Sequence, residues 1–431
     1  MYKNLVCGVD SHVKLKNDKT VHYINFNNAG TTPPFKSVIN RINEFSSTYS
    51  SVDRGSGYKS QICSDIYSLS RRKIIDFIGG DPDYHTVIFL KNTTECINKL
   101  SYRLKTILKD KIVLTTYMEH HSNMLPWQDR YDTQFIEVDE KGRLSMEDLE
   151  SKLKKHKGKV GLVAVTGASN VTGYINPVHD IAEICHKYGA RILVDGAQLI
   201  PHSSFHMKNI DFLAFSAHKM YAPFGSGALI APKEIFEEGH SEFVGGGTVE
   251  FVTTKDVSWA DIPQKEEAGT PNLMGVIALM ESIKTLEYLN INEIEEYERV
   301  LTDYTLKRMR SIPNLTIHND TMDKKVSIIS FNIIGLHHEK VAQILASEGG
   351  ISVRSGCFCA QPYVQKLLNI PDVDVKNHRM DKSKLPGMVR LSFGLYNDFN
   401  EVDLFIYLLK KIARNIDYYN NKYSKAPLDK S

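Results

Sequence analysis

RILVDGAQLIPHSSFHMKNIDFLAFSAHK, residues 191–219, is the stretch whose reading decides the fold. It holds two continuous apolar runs, Arg191–Val194 and Phe212–Phe215. Strands buried on both faces of a parallel sheet read as unbroken apolar runs of this kind. Each run is followed at once by polar residues, Asp195-Gly196-Ala197-Gln198 after the first and Ser216-Ala217-His218-Lys219 after the second. Moving outward, the same grammar recurs at Thr86–Leu90, Lys111–Thr115, Val160–Val165 and Ala228–Ala231. Amphipathic segments such as Val178–Tyr188 lie between the runs. Apolar runs alternating with helical patterns predict an α/β domain with a largely parallel sheet. Ligands of such sheets bind beyond the carboxyl ends of the strands.

The character changes after about residue 285. Asn292–Ile312 reads as a long charged helix connecting two domains. A strand at Ser327–Ile334, a helix at His338–Ser347, strands at Ile351–Arg354 and Met388–Ser392, and a helix from Glu401 to Ile416 follow. Asn400 is the expected N-cap of that last helix. The expected division is a large domain over 20–285 and a smaller α+β domain over 286–420, joined by residues 1–19. Residues 363–386 are polar and read as a partly helical insertion or a mobile loop, and the last ten residues as a frayed tail.

Composition narrows the function. The chain has 431 residues, 42% hydrophobic and 24% charged, with a net charge of +2, which is ordinary for a soluble globular protein. Such a balance offers no electrostatic reason to expect nucleic acid or an anionic membrane as partner. The first residues mix charges and lack the apolar core of a signal peptide. Six cysteines are too few for a disulfide scaffold in a chain this long, so a reduced, cytoplasmic protein is expected.

Each strand end then offers a chemical group and a plainer alternative. Thr93 and Thr94 follow Thr86–Leu90 and suit an anion at a helix N-terminus, or simply cap that helix. His120 and His121 follow Lys111–Thr115. Adjacent side chains seldom converge on one ion, so a ring-stacking or acid–base histidine is preferred over a metal, and no metal is expected. The loop after Val160–Val165 carries Asn170 between two glycines. Asp195 ends a buried strand, where a carboxylate is costly unless a cation meets it, or else it caps the next helix. Lys219 past a buried strand is a candidate Schiff-base amine, or a solvated surface lysine. Anion cradle, imidazole, carboxylate and lysine at one sheet edge together suit pyridoxal 5'-phosphate.

The chain resembles the class V aminotransferase group of fold-type I pyridoxal-phosphate enzymes, nearest the cysteine desulfurase and selenocysteine lyase branch. The motifs that carry the resemblance run from about Ile24 to Leu409. They are NNAGTTPP (27–34), DRGSGYKS (53–60), NTTECIN (92–98), EHHSNMLPW (119–127), TGASNVTG (166–173), VDGAQ (194–198), SAHK (216–219), AGTPN (268–272), RSGCFCAQP (354–362) and VRLSFGLYN (389–397). Ten motifs in the family's order make the resemblance specific. It implies a large domain with a mostly parallel seven-stranded sheet and a smaller α+β C-terminal domain.

The resemblance also implies roles. Lys219 would hold the cofactor as a Schiff base, Asp195 would meet the pyridinium nitrogen, and His120 would stack on the ring and share in the catalysis. Asn170 and Gln198 would sit near the phenolic oxygen. Thr94, Ser216 and His218 would cradle the phosphate, with Thr93 beside them. Thr270 would reach the phosphate of a second subunit, which implies a homodimer. Arg390 would clamp the substrate carboxylate in a pocket lined by Asn28, Ala29 and Gly30, with Arg54 near the mouth. Cys359 would be the nucleophile that takes sulfur from L-cysteine, leaving alanine, and a sulfur-acceptor protein would be a further partner. An aminotransferase, epimerase or β-lyase acting on another amino acid is the alternative on the same scaffold.

Three positions depart from the desulfurase pattern. Asp53 precedes Arg54 where many relatives have histidine. Cys357 and Phe358 stand where histidines are usual, and the C-F-C form is similar to the desulfurase-like part of molybdenum cofactor sulfurases. The 363–386 insertion lengthens the path from Cys359 to Arg390.

Overall fold

The computed structural model describes residues 2–53, 55–321, 323–371 and 385–424. Its centre is a seven-stranded sheet built from β1 (His85–Leu90), β2 (Ile112–Thr116), β3 (Asp132–Ile136), β4 (Val160–Thr166), β5 (Arg191–Asp195), β6 (Phe212–Ser216) and β7 (Gly227–Pro232). The spatial order is β1-β7-β6-β5-β4-β2-β3. Only β7 runs against its neighbours. The six apolar runs are six of these strands. The seventh, β3, reads as DTQFI and lies at the sheet edge, where only Ile136 is buried. A half-solvated edge strand needs no continuous apolar run, which is why its sequence is silent.

Apolar side chains cover both faces of this sheet. On one face Val163, Val165, Val194, Leu213 and Phe215 join a large core that also takes in Leu279 and Ile283 of the helix Leu273–Leu289. On the other, Ile88, Val113, Leu162, Leu193 and Leu229 pack with Leu100 and Trp127.

A second, antiparallel sheet comprises β8 (Leu315–His318), β9 (Ile328–Ile333), β10 (Arg354–Gly356) and β11 (Met388–Ser392), in the order β8-β9-β11-β10. The helix Phe399–Arg414 covers it with Val402, Phe405, Ile406, Leu409 and Ile412, spaced as one apolar stripe. This helix starts two residues earlier than the sequence suggests. Its cap is Asp398 rather than Asn400: the Asp398 carboxylate accepts the Glu401 N–H at 3.0 Å, and the Glu401 carboxylate accepts the Asp398 N–H at 3.2 Å. Reciprocal bonding satisfies two orphan donors, which a cap at Asn400 could not do. Lys3 bridges both carboxylates at 2.7 and 2.9 Å and so pins the chain start to this helix.

The single strand expected at Ile351–Arg354 is two. Ile351–Ser352 pairs in parallel with Ile24–Asn25, whereas Arg354–Gly356 pairs antiparallel with β11. Of the expected insertion, Gln361–Leu367 is helical and 372–384 lies outside the described residues, as do residues 425–431 of the expected tail. Among the described residues no helix is long and apolar enough to cross a membrane.

Candidate active site

Strands β2, β4, β5 and β6 are mutually parallel, and β7 is antiparallel to both β6 and β1. The carboxyl ends of β1, β2, β4, β5 and β6 therefore share one edge. At that edge opens a cavity of about 270 Å³. Its wall includes Thr93, Thr94, His120, Asn170, Asp195, Gln198, Ser216, His218 and Lys219 from the large sheet, Ala29 and Gly30 from the amino-terminal segment, and Cys359 and Arg390 from the second sheet. Residues more than 350 positions apart thus face one space.

The floor is electrostatically organised. Asp195, the last residue of β5, is buried and accepts the Ala197 N–H at 2.9 Å. Burial raises its pKa, and the Ala197 N–H and the Lys219 ammonium pull it back. Lys219 closes a short helical turn, Ala217–Lys219, directly after β6. Burial disfavours its ammonium and moves its pKa down to about 8, against the pull of Asp195. His120 is driven to about 3, first by burial and then by Lys219, His121 and Arg390, so its imidazole is neutral at pH 7. His218 falls to about 4 for the same leading reason, with Lys219 adding to it.

One wall is a cluster of hydroxyls. Thr93 N–H donates to Ser216 Oγ at 2.8 Å, the Thr93 and Ser216 hydroxyls are 2.7 Å apart, and those of Thr94 and Ser122 are 2.7 Å apart. Neither threonine caps the helix Thr93–Arg103. Asn92 does, accepting the Glu95 N–H at 3.0 Å, which leaves the threonines facing the cavity. Ser122 also meets His120 Nδ1 at 2.9 Å.

The roof comes from the second sheet. Arg390 is buried, donates from Nη1 to the Asn170 carbonyl at 2.8 Å, and lies 4.9 Å from the Phe358 ring centroid. Its register partner on β10 is Arg354, which also lines the cavity. Burial first and Arg354 second push the Arg390 pKa down to about 9, which keeps it cationic at pH 7. Asn170 Nδ2 donates to the Phe358 carbonyl at 2.8 Å.

Two residues expected at the site stand apart from this wall, and a third is not among the described residues. Asn28 is buried behind it, with its amide bonded to Asn25, Ser392, Tyr396 and Asn397, so it supports the pocket without lining it. Thr270 is exposed and lines a separate cavity of about 240 Å³ with Gly225, Ser226 and Asn272. Arg54 lies outside the described residues.

Two residues without a role in the sequence reading hold the site together. The buried Glu119 carboxylate accepts the Thr116 hydroxyl at 2.6 Å, the Asn123 amide at 2.6 Å and the Thr166 N–H at 2.9 Å, tying β2 to β4 just before His120. Burial raises its pKa to about 8. The other is His121, whose ring meets the helix that follows Cys359. Both stand next to the residue that drew attention, and nothing in a single sequence distinguishes them.

As a donor set this wall suits a flat, anionic, aldehyde-bearing cofactor. It offers an amine with a lowered pKa, a buried carboxylate, a neutral ring and a hydroxyl cluster. Two buried polar atoms in this wall, Gln198 Oε1 and Arg390 Nε, have no hydrogen-bond partner among the described residues. Buried polar atoms in a folded protein are normally satisfied, so such atoms in a cavity wall mark places for a ligand.

Comparisons with known proteins agree with this geometry. The aminotransferase class-V family model matches residues 24–405. The chain is 36% identical to a probable cysteine desulfurase of Pyrococcus abyssi over 408 residues, covering 92% of this chain and 96% of that protein. It is 31% identical to a cysteine desulfurase of Haloferax volcanii, covering 90% and 89%. Among solved structures, the apo cysteine desulfurase of Thermococcus onnurineus superposes with a TM-score of 0.82 at 33% identity, covering 91% of this chain and 95% of that one. The cysteine desulfurase CsdA of Escherichia coli superposes with a TM-score of 0.78 at 26% identity, covering 90% and 94%.

Proposed function

The chain belongs to the aminotransferase class-V family, and from that premise we propose that it is a pyridoxal-phosphate-dependent cysteine desulfurase. Its reaction converts L-cysteine and an enzyme thiol into alanine and an enzyme persulfide. The observation that carries the reading is an exposed free thiol, Cys359, in the same cavity as the half-buried Lys219, whose amine has a lowered pKa, and the buried guanidinium of Arg390. An aminotransferase or epimerase has no use for a thiol there.

The wall residues divide the work. Thr93, Thr94, Ser216 and His218 would hold the phosphate of pyridoxal phosphate, Asp195 its ring nitrogen, His120 its ring face and Lys219 its aldehyde carbon. When bound, the cofactor supplies a ring that takes up the charge left on the substrate. Arg390, anchored by Asn170 and Phe358, orients the substrate carboxylate through a paired hydrogen bond. Lys219, with a pKa near neutrality, is suited to take and return the α-proton. The Cys359 thiolate attacks the substrate sulfur. Because Cys359 is exposed, its persulfide is within reach of an acceptor protein.

Incubation of the holoprotein with L-cysteine and a reductant should yield alanine and sulfide in equal amounts. Pyruvate in place of alanine, or a keto acid with transfer of the amine, would replace this reading with a β-lyase or an aminotransferase.

The site is also proposed to be completed by a second copy. Thr270 stands outside its own cavity, and the hairpin Val249–Val252/Val257–Trp259 leaves Phe251, Val252 and Val257 64%, 54% and 45% exposed. Sedimentation should find a dimer at micromolar concentration. Thr270→Ala should weaken cofactor retention, since one hydrogen bond to a charged group contributes about 1.5–3 kcal/mol. A fully active monomer would sink this part of the proposal. The six unpaired thiols fit a reducing, cytoplasmic compartment.

A further inference from the structure

The nucleophile sits in a turn that its own residues do not favour. The Ala360 N–H closes on the Cys357 carbonyl at 2.8 Å, and both central residues, Phe358 and Cys359, have positive φ of 54° and 56°. Mirror-image turns of this sort normally use glycine or asparagine, so two bulkier residues there must be held by their surroundings. The helix that follows, Gln361–Leu367, begins after Ala360, whose methyl group cannot cap it. Its first N–H is one of the orphan donors of a helix start.

His121 meets both needs from the loop that follows β2. Its backbone N–H donates to the Cys359 carbonyl at 2.6 Å, and its ring Nε2 accepts the Gln361 N–H at 3.2 Å. The thiol-bearing residue is thus gripped on both sides. Only an unprotonated ring nitrogen can accept, and burial lowers the His121 pKa, which keeps it so. The residue before it, His120, lines the cofactor-facing wall. We infer that His121 is a positioning residue that caps the helix after Cys359 and holds the nucleophile's left-handed turn in register with the wall carrying His120. This inference rests on the desulfurase reading of the same site.

Two conservative variants separate the outcomes. Glutamine can reach Gln361 with its amide oxygen, while asparagine is too short. In the holoprotein, His121→Asn should speed hydrogen exchange across residues 359–364 about tenfold and lower kcat for L-cysteine about tenfold, the upper end of what one such hydrogen bond contributes. KM should stay within about twofold and the bound-cofactor absorbance should not change, because His121 is not among the residues that line the cavity. His121→Gln should restore most of kcat and most of the protection. Unchanged kcat in His121→Asn, with or without faster exchange, would overturn the positioning role, as would a His121→Gln no better than His121→Asn. A wild-type enzyme that makes no alanine overturns the functional reading instead. The exchange measurement then decides the clasp, and unchanged exchange in His121→Asn overturns it.

Discussion

Lys219→Ala is expected to abolish both turnover and covalent attachment of the cofactor. Borohydride reduction of the wild-type holoprotein followed by peptide mapping should find the pyridoxyl group on Lys219, and the variant should carry none. The variant also loses the base for the α-proton. A positioned acid–base group alone contributes about 10²–10⁴-fold, so the residual rate should fall below that range. The charge state sets a pH dependence whose sign is fixed by burial. Desolvation penalises the ammonium, so the Lys219 pKa drops to about 8 from its ordinary 10.5. The free amine then dominates above about pH 8, and covalent capture of cofactor by the apoprotein should speed up as pH rises through that value. Between the folded and unfolded values the unfolded chain binds more protons at this site, so the Lys219 contribution to apoprotein stability rises with pH over that window. Capture that rises only near pH 10, or a pyridoxyl label on another lysine, would show that Lys219 is not the low-pKa, cofactor-binding amine described here.

Cys359→Ser should lose sulfide and alanine production from L-cysteine while keeping the absorbance of the bound cofactor, because the hydroxyl is a poor nucleophile toward sulfur and touches none of the anchoring groups. Cys357→Ser should retain most activity. The two thiols lie two residues apart but in different surroundings. Cys357 donates to the Pro386 carbonyl at 3.1 Å, is half-buried, and has its pKa raised by burial and by Cys359. Cys359 is exposed, lines the cavity and lies within electrostatic reach of Lys219 and Arg390. The exposed thiol that lines the cavity is the one a bound substrate can meet, so Cys359 is the better placed nucleophile. Full turnover by Cys359→Ser would end the desulfurase reading. Selenocysteine is a useful control, since selenium leaves more readily than sulfur and its release could survive loss of the thiol.

Much of the seven-stranded sheet is legible in the chain because buried parallel strands have no freedom of composition. Val160–Val165, Arg191–Val194 and Phe212–Phe215 are apolar on both faces and announce themselves. Chemistry follows directly at their carboxyl ends, so Asn170, Asp195 and Lys219 are found with them. The edge strand Asp132–Ile136 is half-solvated and is not announced. Asp398 and Asn400 are both acceptable cap residues two positions apart. The choice fell to the one whose spacing to Glu401 closes a reciprocal pair and whose charge meets Lys3.

What the sequence by itself determined is therefore local: which runs must be buried, which residues stand where those runs end, and, through ten ordered motifs, which family's site they resemble. The tertiary structure alone decided what depends on distant groups meeting. It divided Ile351–Arg354 between two sheets, because Ile24–Asn25 and β11 each offer an open edge to one half of it. It set Asn28 behind the pocket wall, because four separate neighbours satisfy its amide there. It brought the His121 ring to Gln361, 240 positions away in the chain. A hydrogen bond between such positions leaves no periodicity in sequence. It exists only because the chain folds so that an N–H at one helix start meets an acceptor from the loop after β2, and losing that bond would cost about 0.5–1.5 kcal/mol.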